Sequence, residues 1–181
     1  MGHEPVSAWT GRIHTFSGKR FAPLNPDPDD ICIEDIAHSL SQQCRFTGHT
    51  RKPYSIAQHS YLVSVNCASE DALWGLMHDA SEAYLCDIAS PVKHSDEMGG
   101  YRLAELNLME VICHKYGLPL DMPESVKVAD RRMLITEARD LMPPADWYEL
   151  ADCYGFTVFP WSAVFSERKF LERYEELTSG K

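Results

Sequence analysis

The sequence has no Cys-x-x-Cys pair, no long apolar run, no internal repeat and no excess of basic charge. Each absence excludes something. Its six cysteines stand at 32, 44, 67, 86, 113 and 153. No two are three positions apart, so a zinc ribbon or redox dithiol lacks its spacing, and reduced, partly buried thiols are expected. No stretch approaches the roughly 18 apolar residues of a membrane helix. The segment Met1-Gly2-His3-Glu4-Pro5 lacks the basic-then-apolar order of a signal peptide. A cytoplasmic protein without a membrane partner is expected. Lys and Arg number 17 against 27 Asp and Glu, a formal charge of −10. That average field repels DNA and RNA, so no nucleic acid polymer is expected as partner. A small phosphorylated molecule stays compatible, because one bound dication and a few Arg or Lys can reverse the sign inside a pocket. With no low-complexity tract or linker, residues 1–181 read as a single domain.

What is present is mostly helical. Residues 10–22 carry Ser17-Gly18 between two β-compatible runs, which predicts a small hairpin. The stretch Pro23-Leu24-Asn25-Pro26-Asp27-Pro28-Asp29-Asp30 cannot be helix, so residues 1–30 read as a hairpin and a turn-rich arm. Ile33, Ile36, Ala37 and Leu40 then give one apolar helix face. Ser55 and Gln58 fit a capping box opening a second helix. A third helix is predicted over 70–85. A long amphipathic one follows over 96–116, ending at Gly117 as the C′ residue. Pro123 opens another that runs to about Met142, and Pro160 precedes the last. The expectation is an all-α bundle with a small N-terminal β-hairpin.

His78-Asp79 follows the apolar segment Leu73-Trp74-Gly75-Leu76-Met77. Buried ionisable groups are costly unless paired or metal-bound. Alone, the pair is equally well a structural hydrogen bond. The surroundings shift the balance. Glu82 is four residues beyond His78, on the same helical face. His59 enters from the preceding helix, and Asp130 interrupts the run Val126-Lys127-Val128-Ala129. Two imidazoles and two carboxylates on core helices suit one divalent ion per chain, with Mn, Co, Fe, Zn and Mg all open. A dication neutralises phosphate oxygens and lowers the pKa of bound water. Arg45 has the planar fork that clamps such oxygens.

The stretches Tyr-Ser-Ile-Ala-Gln-His-Ser at 54–60, His-Asp-Ala-Ser-Glu-Ala-Tyr-Leu-Cys-Asp-Ile at 78–88, Ser-Pro-Val-Lys at 90–93 and Val-Lys-Val-Ala-Asp at 126–130 resemble the HD-domain phosphohydrolases, as does Cys-Arg-Phe-Thr-Gly-His-Thr at 44–50. Within them the chain looks closest to the small 5′-deoxynucleotidases and phage-type dATP triphosphohydrolases. The resemblance covers roughly residues 20–140. It implies metal ligands at His59, His78, Asp79 and Asp130. Glu82 would orient or deprotonate the attacking water or protonate the leaving oxygen, with Asp87 assisting. Arg45 would grip phosphate, and Phe46 stands where the related deoxynucleotidases carry Trp. The substrate implied is a deoxynucleotide, with dATP first and a 5′-monophosphate as alternative. A non-catalytic nucleotide-binding regulator and a dimetal oxygenase or phosphodiesterase are the rivals. A homo-oligomer is also implied.

Other residues stay open. Lys93 and His49 are candidate substrate contacts, each balanced by a surface reading. His38 reads as a satisfied core or interface histidine. His94 and His114 are surface histidines unless a second metal is present. Arg131, Arg132 and the charged final helix read as solvated faces. The aromatic residues of 141–165, among them Trp147, Tyr148, Phe156, Phe159 and Trp161, fit either core or an interface.

Overall fold

A computed structural model of the chain describes residues 11–144 and 152–179. Trp147 and Tyr148 lie outside them. The helix Ile56–Asn66, here α2, is the centre of the fold, with Ile56, Ala57, His59, Ser60, Val63 and Ser64 all buried. It follows α1 (Ile33–Gln42) and precedes α3 (Ala72–Met77), α4 (Glu82–Leu85), α5 (Ser90–Lys93), α6 (Gly99–Tyr116), α7 (Glu124–Leu141) and α8 (Ala163–Thr178). Helix α2 packs on α1, α3, α7 and α8, and α1 also packs on α4 and α8. The protein is therefore all-α with a small hairpin, as the sequence predicts. No described helix is long and apolar enough to cross a membrane.

Small residues let α2 and α3 approach closely. A Cβ on Gly75 would stand 2.8 Å from Cys67 Sγ and 3.0 Å from Ser64 Cα. Two apolar clusters flank this crossing. One gathers Ile36, Leu40, Ile56, Leu76, Leu108 and Phe170. The other gathers Tyr54, Val63, Trp74, Val126, Met133 and Leu141. His59 stands on α2 and His78 directly follows α3, the two helices that feed both clusters.

Strands β1 (Ile13–His14) and β2 (Arg20–Phe21) pair antiparallel, Ile13 opposite Phe21 and His14 opposite Arg20. Gly18 turns the chain at a φ of +87°. Ser17 ties the hairpin to α1, donating its N–H and hydroxyl to the Asp35 carboxylate at 2.6 and 2.8 Å. Burial pushes the Asp35 carboxyl up, but hydrogen bonds from Cys32 and Ser17 outweigh it and hold it below its ordinary value. A depressed folded-state pKa stabilises above the unfolded value of about 3.9 and loses that contribution as pH falls through the folded one. Melting temperature is therefore expected to drop as pH falls below about 4. Asp35→Asn should flatten that part of the profile in thermal scans; an unchanged slope would show that the carboxylate is not a folding switch.

One element differs from the sequence expectation. The predicted 70–85 helix is two helices, α3 and α4, joined by a tight turn through His78–Ser81. The cause is local. His78 Nδ1 donates to the Gly75 carbonyl at 2.8 Å, occupying the acceptor an uninterrupted helix would offer to Asp79 N–H. The next bonds tighten to the i→i−3 kind, Ala80 to Met77 at 2.9 Å and Glu82 to Asp79 at 3.0 Å. The capping box also forms only in half. Ser55 accepts from Gln58 N–H, but the Gln58 side chain turns away to Phe159 and Trp161. Short helix α5, with Pro91 in its first turn, fills part of the interval between the expected 70–85 and 96–116 helices.

Candidate metal centre

The positions of the two imidazoles follow from what holds their far sides. His59 Nδ1 lies 2.6 Å from Glu137 Oε1. His78 Nδ1 lies 2.8 Å from the Gly75 carbonyl. A carbonyl and an ionised carboxylate only accept, so both Nδ1 atoms carry the proton. That leaves the two Nε2 atoms, which face each other 3.2 Å apart, as the positions that bind a proton or a metal ion. Lone pairs aimed at one point repel unless a proton or metal ion sits between them. Asp79 Oδ2 is 3.2 Å from His78 Nε2 and 3.8 Å from His59 Nε2. Asp130 Oδ1 is 3.0 Å from His59 Nε2 and 3.9 Å from His78 Nε2. Around a dication with bonds of about 2.1 Å, adjacent donors stand roughly 3.0–3.4 Å apart and opposite ones about 4.2 Å; the five distances, from 3.0 to 3.9 Å, lie between those limits. The ligand atoms of His59, His78 and Asp79 all fall within 4.8 Å of one another, a group that could hold a metal ion. The remaining feature is the carboxylate–histidine contact that commonly orients a metal-binding imidazole.

The field of the site agrees. Burial pushes His78 down, but the charge and hydrogen bond of Asp79 outweigh it and lift the imidazole to about 9. Burial and Arg45 lower His59, and Glu137 and Asp130 raise it by more. Burial opposes ionisation of Asp79, yet His78, His59 and Arg45 hold its carboxyl well below the ordinary value. Positive charge is favoured wherever the two Nε2 atoms point.

Glu82 behaves oppositely. Burial, then the charges of Asp79 and Asp87, lift its carboxyl to about 9. It is 6% exposed and its Oε2 has no hydrogen-bond partner. A carboxyl so placed keeps its proton at neutral pH and has a proton to give. Burial also raises Asp87, opposed by Arg45.

Two cavities open on the group. One of about 360 Å³ is lined by Arg45, Phe46, Asp79, Glu82, Asp87 and Asp130, and also by Lys93 and His94. The other, about 620 Å³, shares Asp79, Lys93 and Asp130 with it. Of the sequence-predicted site residues, His49 alone stays apart, exposed at the end of a short turn and on neither wall. Lys93 is ion-paired with Glu105 of α6. His38 is held by Glu167 at 3.1 Å and stacked on Phe16. His114 is exposed beside Glu110, away from the cluster. Among the aromatic residues left open, Phe159 is exposed, whereas Trp161 packs edge-on against Tyr61 and Phe165.

Two features escape the sequence reading. Glu137 is fully buried and holds three groups at once: His59, the Tyr54 hydroxyl at 2.8 Å and Arg45 Nε at 3.1 Å. Its signal was an acid inside an apolar stretch, seven residues and thus two helical turns beyond Asp130 on α7. The second is backbone strain. Among the described residues, non-glycine positive φ occurs at Phe46 (54°), Thr47 (51°) and Cys86 (70°). All three stand within two residues of Arg45 or Asp87, and strain of this kind, about 1–3 kcal/mol each, collects at functional sites.

A comparison with models of known protein families finds no match. Against curated proteins, the chain is 42% identical over 171 residues to the uncharacterized protein YfdR of Escherichia coli, covering 92% of this chain and 95% of YfdR. The chain belongs to the YfdR family. An uncharacterized protein of Rhodobacter capsulatus is 36% identical over 132 residues, 68% of this chain and 67% of that protein. With YfdR the match extends over nearly the whole of both chains, well beyond the candidate centre.

Proposed function

We propose that the protein is a divalent-metal-dependent phosphohydrolase acting on deoxynucleotides. The observation that carries this reading is the pair of buried imidazoles whose Nε2 atoms converge beside two carboxylates, with a buried acid, Glu82, and an arginine in the adjoining cavity. His59, His78, Asp79 and Asp130 would hold the ion. When bound, the ion supplies charge neutralisation at the phosphate and a more acidic water.

The chain's own groups supply the rest. Arg45 is anchored through Nε on Glu137 and faces the smaller cavity, where it binds phosphate oxygens. Glu82 holds the proton that the departing alcohol oxygen needs. Asp87, on the same wall, takes a proton from the attacking water. In balance, water oxygen bonds to phosphorus, the ester P–O bond breaks, and the alcohol leaves with the proton from Glu82. A positioned acid of this kind contributes about 10²–10⁴-fold. The deoxynucleotide preference, with deoxyadenylates first, and a cytoplasmic homo-oligomer rest on the resemblance and the composition.

The test is metal removal and return. Protein stripped with EDTA is expected to release no nucleoside from deoxynucleoside mono- or triphosphates, and to recover on adding Mn²⁺ or Co²⁺. Orthophosphate or tripolyphosphate as co-product tells the two reactions apart. Nucleotide binding with no turnover under any metal would instead favour a non-catalytic regulator.

A further inference from the structure

The larger cavity extends away from the candidate metal centre and differs from the smaller one in character. Its walls are Trp74, Leu106, Met109, Leu120 and Met122. Trp74 forms a fixed part of the wall, since its indole N–H is spent on the Pro119 carbonyl at 2.9 Å. Leu106 is 68% and Leu120 55% exposed, so two large apolar side chains stand at this cavity without protein cover. Apolar surface left open beside a polar site is what an apolar ligand group covers. Its volume, about 620 Å³, is that of a ligand pocket.

The charges are one-sided. Glu105, Glu110 and Asp121 line this arm. Its one basic side chain, Lys93, is already paired with Glu105. A second or third phosphate here would meet the carboxylates of Glu110 and Asp121, while Lys93 and Glu105 neutralise each other. A neutral or cationic group bearing N–H donors would meet acceptors. The smaller cavity, where Arg45 stands beside the candidate metal ligands Asp79 and Asp130, suits a single phosphate.

We propose that this arm seats the non-phosphate part of the substrate and selects a flat apolar group with N–H donors, such as an amino-bearing base, while rejecting further phosphates. This inference rests on the phosphohydrolase reading. It adds a second subsite, built by α3, α6 and the segment 118–122, to the groups that act on phosphate.

Charge reversal tests it, because Glu110 and Asp121 are both exposed and can change without disturbing the core. Kinetics of the Mn²⁺-loaded full chain would be measured on phenyl phosphate, dAMP and dATP, for the wild type and the double variant Glu110→Lys/Asp121→Lys. The ratio of kcat/KM for dAMP to that for dATP is expected to fall roughly tenfold or more. A general folding defect lowers both alike and leaves the ratio in place. Phosphate release with an unmoved ratio overturns the arm and spares the phosphohydrolase reading. No release from any of the three esters by the wild type overturns both.

Discussion

Asp79→Ala is expected to abolish metal-dependent phosphate release, by at least about a thousandfold, and to leave the protein folded. Asp79 Oδ2 is the carboxylate oxygen nearest His78 Nε2. Its loss removes a donor and the main charge that raises His78. The structure predicts survival of the fold because the other partners persist. Arg45 keeps Glu137 at 3.1 Å, and His59 keeps both Glu137 and Asp130. Metal content by elemental analysis and turnover should fall together, with the far-ultraviolet dichroism unchanged. Full activity in the variant would place the chemistry elsewhere.

Glu137→Ala should do the opposite kind of damage, striking stability first. Glu137 is fully buried, and it is the acceptor for a buried imidazole, a phenol and a guanidinium. Removing one member of a buried charged network costs about 3–5 kcal/mol, because the partners are left without compensation. Burial opposes its ionisation, yet His59 and Arg45 keep its carboxyl below the ordinary value, so the lost group is an anion. A melting point lower by roughly 10 °C follows for a chain of this length. Metal affinity should fall about 10–100-fold, since His59 loses the acceptor that fixes its tautomer. Glu137→Gln keeps the shape and one acceptor, and should recover part of the stability. A Glu137→Ala protein that melts like the wild type would mean the network is looser than the distances imply.

The parts of this protein legible in sequence are those governed by local pattern. Apolar spacing marked α1, Gly117 ended α6 with a φ of +67°, and Pro123 opened α7. His78, Asp79 and Asp130 stood out because they follow or interrupt apolar runs, His59 stood out as an imidazole on the preceding helix, and the structure brings all four together. What was illegible depends on contacts between distant elements. Glu137 sits in an apolar stretch, but its role became visible only when α2 placed His59, and the segment before it Tyr54, beside it. The break between α3 and α4 came from a side chain bonding its own main chain, which periodicity does not register. Gln58 carried a capping signature and spent its amide on residues a hundred positions away.

The crossing of α2 and α3 at Gly75 bears on the ion in a way that no ligand does. His59 and His78 ride on separate helices, so the gap between their ring nitrogens is set by how near those helices stand. A hydrogen atom in place of a side chain at residue 75 fixes that nearness. The bite of the site is therefore written in main chain, and its width can drift by substitution at a residue that never touches the ion. Substitution at residue 75 would alter the candidate centre and leave no trace in His59, His78, Asp79 or Asp130 themselves.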